Sequence, residues 1–529
     1  MTKPADSLQL TIKVTNTNED HDMPLQSILK RGCLAVLLAV VPALAQANTE
    51  IPSEVTLFKN VNIWDGTSEN LKSGYDVLVV RNLIKKIAKN IPTSGTYELD
   101  VKTGGHKEID VAAPDYGSYT IYVSEGEAKT EKKQVKINVI DGGGRTLMPG
   151  LIEGHGHLQM NGTSLADIEN NRNWEELAVR SVAKAKMALM SGFTTWRDMG
   201  GMGAGLKKSI DAGLVEGPRI YPSGAFIGPT GSHADFRNFT TPNETVNGPA
   251  SSGSRHGMTF TADGVDMIKT AARQNFMQGA TQIKIMSSGG VASAFDPWQL
   301  DAYSAEEIAA AVEVADAYGS YVGSHAYSKK SMMRCLENGV KTLEHGFSFD
   351  GDIAKLMEEK GAYITTNTHA FSPELGKIEA ISSSPAAARK AASAQAAFVN
   401  YIDNVKKYRP KFGYQADCVG GIDSCKKQTD HEIFLVAKFF GNHYALKAMT
   451  SVNGEIVKLS GKVLDPYYEG KLGVIEEGAY ADILLVDGNP LEDITAIGGS
   501  EKWFDAPARD GIDTMRIIMK DGKIYKNTL

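Results

Sequence analysis

Residues 147–157, Leu-Met-Pro-Gly-Leu-Ile-Glu-Gly-His-Gly-His, contain the feature around which the rest of the chain is organised. They predict a short apolar strand that ends in two histidines two positions apart. Side chains at positions i and i+2 of a strand point to the same face, so His155 and His157 can bind one metal ion, as zinc ligands commonly do. Two solvent-facing histidines are the alternative. The apolar run before them and the further candidate ligands downstream favour the metal site.

From Leu151 onwards, short apolar segments alternate with longer helical ones. This alternation predicts βα units and a parallel sheet. Eight candidate strands lie at residues 152–157, 193–198, 219–225, 282–286, 321–325, 342–345, 363–366 and 412–417. Eight such repeats predict an α/β fold with a (β/α)8 TIM barrel over residues 148–465. The active site of such a barrel lies at the C-terminal ends of its strands.

Both ends of the chain carry a different pattern. Residues 54–140 are predicted to form β structure, and residues 97–139 alternate apolar and polar positions between Gly, Pro and Asp breaks, which is typical of antiparallel strands. Strands return after residue 465, and Asp521-Gly522 is a hairpin signal. We therefore predict that residues 48–147 and 466–529 together form one small β-sandwich domain beside the barrel.

Length and composition restrict the function further. The chain has 529 residues, more than one ordinary domain needs, and its 42% hydrophobic and 22% charged residues are typical of a globular protein. A net charge of −7 provides no basic surface, which argues against a nucleic-acid partner. A small-molecule substrate is the expected partner, and a homo-oligomer is left open.

Residues 1–47 are predicted to be a leader followed by a secretory signal peptide. Lys30 and Arg31 precede the apolar run Leu34–Ala45, and Ala45-Gln46-Ala47 fits an A-x-A cleavage site. A membrane anchor is the alternative, but the run is about half of the roughly 20 residues that span a bilayer. We therefore expect a periplasmic or secreted protein that is free of the membrane after signal cleavage.

Cys418 and Cys425 flank a short loop that contains glycine. In an oxidising compartment these two cysteines can form a disulfide. Two unpaired buried thiols are an equal alternative.

Four further side chains with metal-binding chemistry lie within or after the predicted strands. Lys284 lies inside an apolar strand, where an unpaired ammonium is costly. His325 and His345 end the fifth and sixth strands, and Asp417 ends the eighth. Each has an ordinary explanation on its own: a hydrogen-bonded core histidine, a lysine that reaches solvent, or an aspartate that caps a loop. Their shared position at strand ends favours a metal centre.

The opening stretch resembles the Pro-Gly-hydrophobic-x-x-His-x-His motif of the amidohydrolase superfamily. The resemblance runs from about Val55 to the C-terminus and includes residues 192–198, 343–346 and 473–482. Residues 324–327, Ser-His-Ala-Tyr, together with Lys284 resemble one branch of this superfamily. That branch contains imidazolonepropionase-like proteins, Xaa-Pro dipeptidases, arginine/lysine carboxypeptidases and ochratoxinase.

The resemblance implies a binuclear zinc centre. His155 and His157 would bind the more buried ion, and His325 and His345 would bind the other. Lys284 would react with CO2 to give a carbamate that bridges both ions.

The resemblance assigns Asp417 two roles, as a ligand of the first metal and as the general acid–base. It would take the proton of a bridging hydroxide and deliver it to the leaving amine. Metal binding lowers the pKa of water from about 15.7 to about 7 and so supplies this nucleophile at neutral pH. The family commonly has Gly-Thr where Gln415-Ala416 stand, so Asp423 and Asp430 are fallback candidates. The family also commonly has Asp in place of Glu153.

Four residues are candidates for contacts with the substrate. His233 follows the third strand and would polarise a carbonyl. Tyr327 points towards the site if His325 does, and in carboxypeptidase-like members a tyrosine here would bind the substrate α-carboxylate. Arg237 and His369 are further candidates. Ordinary loop residues are an equal alternative for each.

These inferences predict an exported zinc-dependent amidohydrolase that cleaves a C–N bond by attack of a metal-bound hydroxide. Its expected substrate is small and peptide-like, such as a dipeptide or an N-acyl amino acid. One alternative keeps the metals but makes the enzyme a lactonase or a hydrolase of a cyclic amide or imidazolone. A second alternative is a metal-free binding protein on a decayed barrel, against which the intact set of six candidate ligands argues.

Overall fold

The computed structural model describes residues 55–529, apart from 95, 104–105, 114–116, 125–128, 163–164, 202, 294 and 383. The predicted leader and signal peptide lie outside the described residues. Within the described part, no helix has both the length and the apolar composition that a membrane span requires.

The described residues contain 21 β-strands arranged in four sheets. The strands are β1 (Val55–Ile63), β2 (Lys72–Val80), β3 (Leu83–Ala88), β4 (Thr96–Thr103), β5 (His106–Ala113), β6 (Gly117–Ser124), β7 (Lys129–Asp141), β8 (Thr146–Pro149), β9 (Leu151–Gly156), β10 (Phe193–Asp198), β11 (Arg219–Pro222), β12 (Phe226–Gly228), β13 (Thr259–Thr261), β14 (Ile283–Met286), β15 (Val322–Ala326), β16 (Thr342–His345), β17 (Tyr363–Thr366), β18 (Phe412–Tyr414), β19 (Ile483–Val486), β20 (Met515–Lys520) and β21 (Lys523–Asn527).

Fifteen α-helices occur in the same part of the chain. They are α1 (Leu165–Asn171), α2 (Trp174–Met190), α3 (Gly205–Asp211), α4 (Ser252–Arg255), α5 (Val265–Met277), α6 (Ala305–Ala317), α7 (Lys329–Glu337), α8 (Gly351–Lys360), α9 (Glu379–Ser382), α10 (Pro385–Ala397), α11 (Tyr401–Tyr408), α12 (Ile422–Phe440), α13 (Asn442–Lys447), α14 (Asn453–Lys458) and α15 (Gly461–Leu464). A π-helical turn at Ala448–Val452 separates α13 from α14.

Strands from both ends of the chain meet in one sheet, in the order β21-β20-β19-β8-β1-β2-β3, and β7 and β4 extend it beside β1. Strand β8 pairs antiparallel with β19, where Leu147 faces Leu485, and parallel with β1. Leu147, Phe58 and Ile517 belong to one buried apolar cluster. The strand that leads into the two histidines is therefore held between the N-terminal and C-terminal parts of this sheet.

The eight predicted strands of the central region occur close to their predicted positions, as β9, β10, β11, β14, β15, β16, β17 and β18. All pair in parallel, in a three-stranded sheet β11-β10-β9 and a seven-stranded sheet β13-β12-β14-β15-β16-β17-β18. The predicted strand at 219–225 is shorter than expected because Gly224, at φ 75°, turns the chain before β12. The predicted α/β class with parallel sheets is confirmed.

The helices between these strands begin and end where local chemistry favours it. Ser304 and Glu307 form a reciprocal capping box at the start of α6, and each satisfies a backbone N–H of the first turn. Helix α7 begins after Ser328, whose hydroxyl accepts from the backbone of Ser331, and is followed by Gly339 at φ 93°. These short, firmly ended helices return the chain to the sheet in the same direction each time.

Strands β9 and β18, the first and last of the parallel series, lie beside each other. The Asn453 amide donates to the carbonyls of Ile152 (2.8 Å) and Tyr414 (2.9 Å). The backbone N–H of Asp417 donates to the carbonyl of His155 at 3.2 Å. This contact brings Asp417 to the same edge as the paired histidines.

Candidate metal centre

One cavity of about 160 Å³ lies at the C-terminal ends of the parallel strands, and all six predicted metal ligands line it. They come from β9, β14, β15 and β16 and from the segments after β9 and β18: His155, His157, Lys284, His325, His345 and Asp417.

His155, His157 and Asp417 have ligand atoms within 4.8 Å of one another. Asp417 Oδ1 lies 3.1 Å from His157 Nε2 and 3.8 Å from His155 Nε2. Burial alone would raise the pKa of Asp417, but its hydrogen bond with His157 and the nearby histidines hold it well below its usual range. Atoms that bind one zinc at about 2.0–2.2 Å lie about 3–4 Å apart, so this trio fits one cation.

Lys284 links this trio to the other two histidines. Its Nζ lies 3.2 Å from His155 Nε2, and the side chain is 1% exposed. The ring centroid of His345 lies 5.1 Å from that of His155 and 4.6 Å from that of His325. Imidazole nitrogens and a carboxylate are donors that divalent cations accept, and these side chains lie close together in one buried cavity.

The protonation of these groups suits metal binding. Burial lowers the pKa of His345 to about 4 and holds the pKa values of His155 and His325 well below their usual range. Neutral imidazole is the form that binds metals. Burial also lowers the pKa of Lys284 to about 8, so that part of this amine is neutral near pH 7.

Two of the candidate ligands have an unusual backbone conformation. His345 has φ 69° and Asp417 has φ 48°, in the left-handed region that residues other than glycine rarely adopt. The conformation of His345 is fixed by Thr366, whose hydroxyl donates to the His345 carbonyl at 2.7 Å. Such strain is concentrated at functional sites, where the surrounding structure enforces it.

A buried ion pair that was not predicted from the sequence orients His155. His155 Nδ1 donates to Glu344 Oε2 at 2.9 Å, and Arg197 donates to Glu344 Oε1 at 2.9 Å. The side chains of Arg197 and Glu344 are fully buried. With its proton on Nδ1, His155 presents the lone pair of Nε2 to the cavity, as histidine ligands of metals usually do. The available signal was a charge within an apolar strand, the same signal that pointed to Lys284.

Two further buried ionisable side chains fix the backbone around the ligands. Glu153 accepts from the N–H groups of His155 (3.0 Å) and Ala416 (3.1 Å), and so joins β9 to the segment that carries Asp417. Lys184 of α2 donates to the carbonyls of His157 and Cys418, both at 2.9 Å. Glu153, which stands where the family commonly has Asp, thus holds the first and last strands together.

Cys418 and Cys425 form a disulfide, with the two sulfurs 2.10 Å apart. Of the two alternatives from the sequence, the structure contains the bonded pair. The bond closes the loop directly after Asp417, and Val419 of this loop lines the cavity.

The fallback carboxylates lie elsewhere. Asp423 is exposed in the first turn of α12, and Asp430 accepts from Lys426 at 2.5 Å and from Arg509 at 2.7 Å. Of the three aspartates considered as ligands, Asp417 is therefore the one that lies beside His155 and His157.

Three of the four predicted substrate residues line the cavity. The rings of His233 and Tyr327 stack on that of His325, with centroids 4.3 and 4.5 Å away. His233 Nδ1 lies 2.8 Å from the Ser293 hydroxyl. His369 Nδ1 donates to the buried carboxylate of Glu432 at 2.9 Å.

Arg237, predicted as a substrate contact, is not among the described residues that line this cavity. Its guanidinium forms a fork with Asp235, two residues earlier, and lines a separate cavity with Asn243 and Asp266. A carboxylate so close in sequence holds the arginine away from the histidines.

The chain belongs to the amidohydrolase family, whose model matches residues 146–511. This assignment confirms the predicted superfamily. At the level of the family it also confirms the predicted enzyme class, a hydrolase that acts on carbon–nitrogen bonds.

Individual relatives lie within the predicted branch of the superfamily. The chain is 28% identical to the ochratoxinase of Aspergillus niger over 346 residues, which cover 64% of this chain and 66% of that protein. The match thus spans slightly under two thirds of the relative. Among solved structures it resembles a prolidase in complex with N-methylphosphonate-L-proline (30% identity, TM-score 0.71, 90% and 100% of the two chains). It also resembles a Xaa-Pro dipeptidase with bound methionine (26% identity, TM-score 0.67, 90% and 100%).

Proposed function

We propose that this protein is a zinc-dependent hydrolase that cleaves the C–N bond of a dipeptide or an N-acyl amino acid. One observation carries the proposal: in a member of the amidohydrolase family, six metal-binding side chains meet in one buried cavity. Two zinc ions would be held by His155, His157, Lys284 as a carbamate, His325, His345 and Asp417. Bound there, the ions would supply a water of lowered pKa and polarise the substrate carbonyl.

Asp417 is the proton carrier in this proposal. Its side chain is 19% exposed, whereas those of His155 and His157 are 1% and 5% exposed, so its carboxylate reaches the open part of the cavity. The low pKa of Asp417 keeps it ionised near neutral pH, which is the form of a carboxylate that binds a metal and that has a free site for a proton. A carboxylate at this position takes a proton from water and passes it to the leaving amine.

In this proposal His233 and Tyr327 would orient the substrate. Their rings lie against His325, so their polar atoms border the same space as the candidate ligands. The Tyr327 hydroxyl is a neutral donor for a substrate carboxylate, because burial holds the pKa of Tyr327 well above its ordinary value. His233 would donate to the scissile carbonyl.

The proposal also covers architecture and location. The contacts between β9 and β18 support a closed (β/α)8 barrel, and the mixed sheet of the chain ends supports a β-sandwich beside it. Export to the periplasm or the medium is supported by the signal-peptide pattern and by the Cys418–Cys425 bond, since disulfides persist in oxidising compartments.

A substrate screen with zinc-loaded protein tests the function. Dipeptides and N-acyl amino acids are compared with lactones and with cyclic amides and imidazolones, with hydrolysis measured by product release. We expect turnover among the dipeptides or N-acyl amino acids and loss of that turnover in Asp417→Asn. Turnover of lactones alone would reject the proposed substrate class.

A further inference from the structure

Apolar side chains line the cavity on two sides of the candidate metal ligands. On the first side, Phe226 lies against His157 with ring centroids 5.3 Å apart, and Phe236 lies 5.9 Å from Phe226. Met160 and Val419 complete this side. Met160, Phe226, Phe236 and Val419 are called the first wall.

The second side faces the other pair of histidines. Phe347 lies 5.9 Å from His345 by ring centroids, and Phe398 and Phe371 lie 5.3 and 5.6 Å from Phe347. Ala394 packs in the same apolar cluster and lines the cavity. Phe347, Phe371, Ala394 and Phe398 are called the second wall.

Helix α10, which carries Ala394, is fixed in place by a partly buried lysine. Lys390 donates to the carbonyls of Gly290 (2.9 Å), Ser293 (2.6 Å) and Asp296 (2.8 Å), in the loop after β14. Ser293 of this loop is also the partner of His233. The second wall and the candidate substrate-orienting histidine therefore share one support, which gives the cavity a defined shape.

Neither wall contains a charge. Among the described lining residues, Lys284 and Asp417 are the only lysine, arginine, aspartate or glutamate side chains, and both belong to the candidate metal centre. A substrate ammonium or guanidinium on either wall would meet no carboxylate, and a substrate carboxylate would meet no arginine. A buried charge without a partner is strongly unfavourable, whereas aromatic walls favour apolar groups.

We propose that the preferred substrate carries an uncharged apolar side group on each side of the scissile C–N bond. One group lies on the first wall and the other on the second, with the bond over the metal ligands between them. This inference rests on the proposed hydrolase function and specifies its substrate. It separates the protein from enzymes that select a lysine or arginine residue next to the scissile bond.

The test compares dipeptides in which one side group changes at a time. Leu-Phe is the reference, and Leu or Phe is replaced in turn by Lys, Glu or Gly, with kcat/KM measured on the zinc-loaded full chain. We expect Leu-Phe to exceed each Lys or Glu compound by about 100-fold. Equal or faster hydrolysis with a charged group on either side overturns this inference alone. Failure to hydrolyse any dipeptide or N-acyl amino acid instead rejects the proposed function and this inference with it.

Two pairs of variants test the walls themselves. Ala394→Asp adds a carboxylate to the second wall, and Ala396→Asp adds the same group on the exposed face of the same helix. We expect A394D to shift the ratio of kcat/KM for Lys-containing over apolar dipeptides by at least about tenfold towards lysine, and A396D to leave it unchanged. An unchanged ratio in A394D overturns the assignment of the second wall.

The first wall is tested by Phe236→Ala, with Phe239→Ala as its control. Phe236 lines the cavity, whereas Phe239 is 87% exposed three residues later. F236A should lose about tenfold or more in kcat/KM for Leu-Phe, mainly through KM, and much less for Gly dipeptides. F239A should retain the kcat/KM of the native protein for both Leu-Phe and the Gly dipeptides. Equal losses for Leu-Phe and Gly dipeptides in F236A contradict a role for the first wall.

Discussion

Lys284 is a buried amine whose Nζ lies 3.2 Å from Nε2 of the candidate metal ligand His155. Burial lowers its pKa to about 8, which favours the neutral amine that the proposed reaction with CO2 requires. We expect Lys284→Ala to lose hydrolysis and at least one bound zinc. Short-chain carboxylic acids should partly restore both, because their oxygens replace those of the carbamate. Activity assays and metal analysis of the purified variant measure the two effects.

Lys330→Ala is the control for this experiment, because its side chain is 70% exposed on the surface. It should keep full activity and full metal content. A K284A variant that no carboxylic acid restores would count against a bridging carbamate.

Glu344 serves as the common partner of His155 and Arg197. Glu344→Gln leaves the Arg197 guanidinium buried without its counter-charge. We expect the free energy of unfolding to fall by about 3–5 kcal/mol, the usual cost of breaking a buried pair. Chemical denaturation of the purified protein measures the change. Asp352→Asn, which removes a 75% exposed partner of Lys329, should cost about 1 kcal/mol or less. Equal losses in the two variants would contradict a structural role for the buried pair.

The sequence revealed the ligands more readily than their supports, for a physical reason. His155 and His157 stand two positions apart, as do His325 and Tyr327. Side chains two positions apart in a strand point the same way, so the shared direction of each pair was predictable. Glu344 and Arg197 meet only because two strands 147 positions apart in the chain come together. Residue type alone also does not show that Asp235 binds the guanidinium of Arg237.

At the scale of elements, the Cys418–Cys425 bond restrains the loop that follows Asp417. Replacing both cysteines by serine should lower the free energy of unfolding by about 2 kcal/mol, because the open loop gains entropy in the unfolded chain. It should also weaken zinc retention, because Asp417, at φ 48°, directly precedes the bonded loop. Denaturation curves and zinc content after dialysis measure both effects.

Reductant provides the control for the disulfide. It should reproduce both losses in the native protein and leave the double variant unchanged. If the variant retains zinc as well as the native protein does, the loop does not position Asp417.

The strands of the central region were predictable because each is a short apolar run between polar segments. Which of these strands pair, and in what register, was harder to predict from the sequence. The unpredicted break before β12 depends on the close approach of Gly224 to Asn275, and the register of β18 depends on Asn453, a residue 39 positions beyond Tyr414. Local pattern determines where strands form, whereas distant side chains determine how they meet.

At the scale of the whole molecule, Arg219 ties the parallel strands to the sheet of the chain ends. From β11 it donates to Asp482 at 2.6 Å and also binds Asp521. We expect Arg219→Met to lower the free energy of unfolding by about 3–5 kcal/mol near neutral pH, because Asp482 stays buried without its cation. Thermal and chemical unfolding at several pH values measure the loss.

The loss of unfolding free energy in R219M should change with pH in one direction. Burial already raises the pKa of Asp482 in the native protein, against the opposing effect of Arg219, and removal of Arg219 should raise it further. The folded variant then binds more protons than the unfolded chain, so its stability falls as pH rises through this range. The deficit of R219M should therefore shrink as the pH approaches 4. A deficit that grows towards pH 4 would contradict the assignment of Asp482 as the unpaired group.

Zinc removal is the decisive measurement for the molecule as a whole, because the six candidate ligands come from segments spread over residues 155–417. An ion that binds only the folded chain stabilises it by about 2.7 kcal/mol at 100 times its Kd, so chelation should lower Tm and zinc should restore it. The Tm of a His155→Ala, His325→Ala variant should respond to neither treatment. Metal analysis should give close to two zinc ions per chain after zinc-supplemented growth. Less than about one, with a Tm that chelators do not change, would favour the metal-free binding protein over the hydrolase.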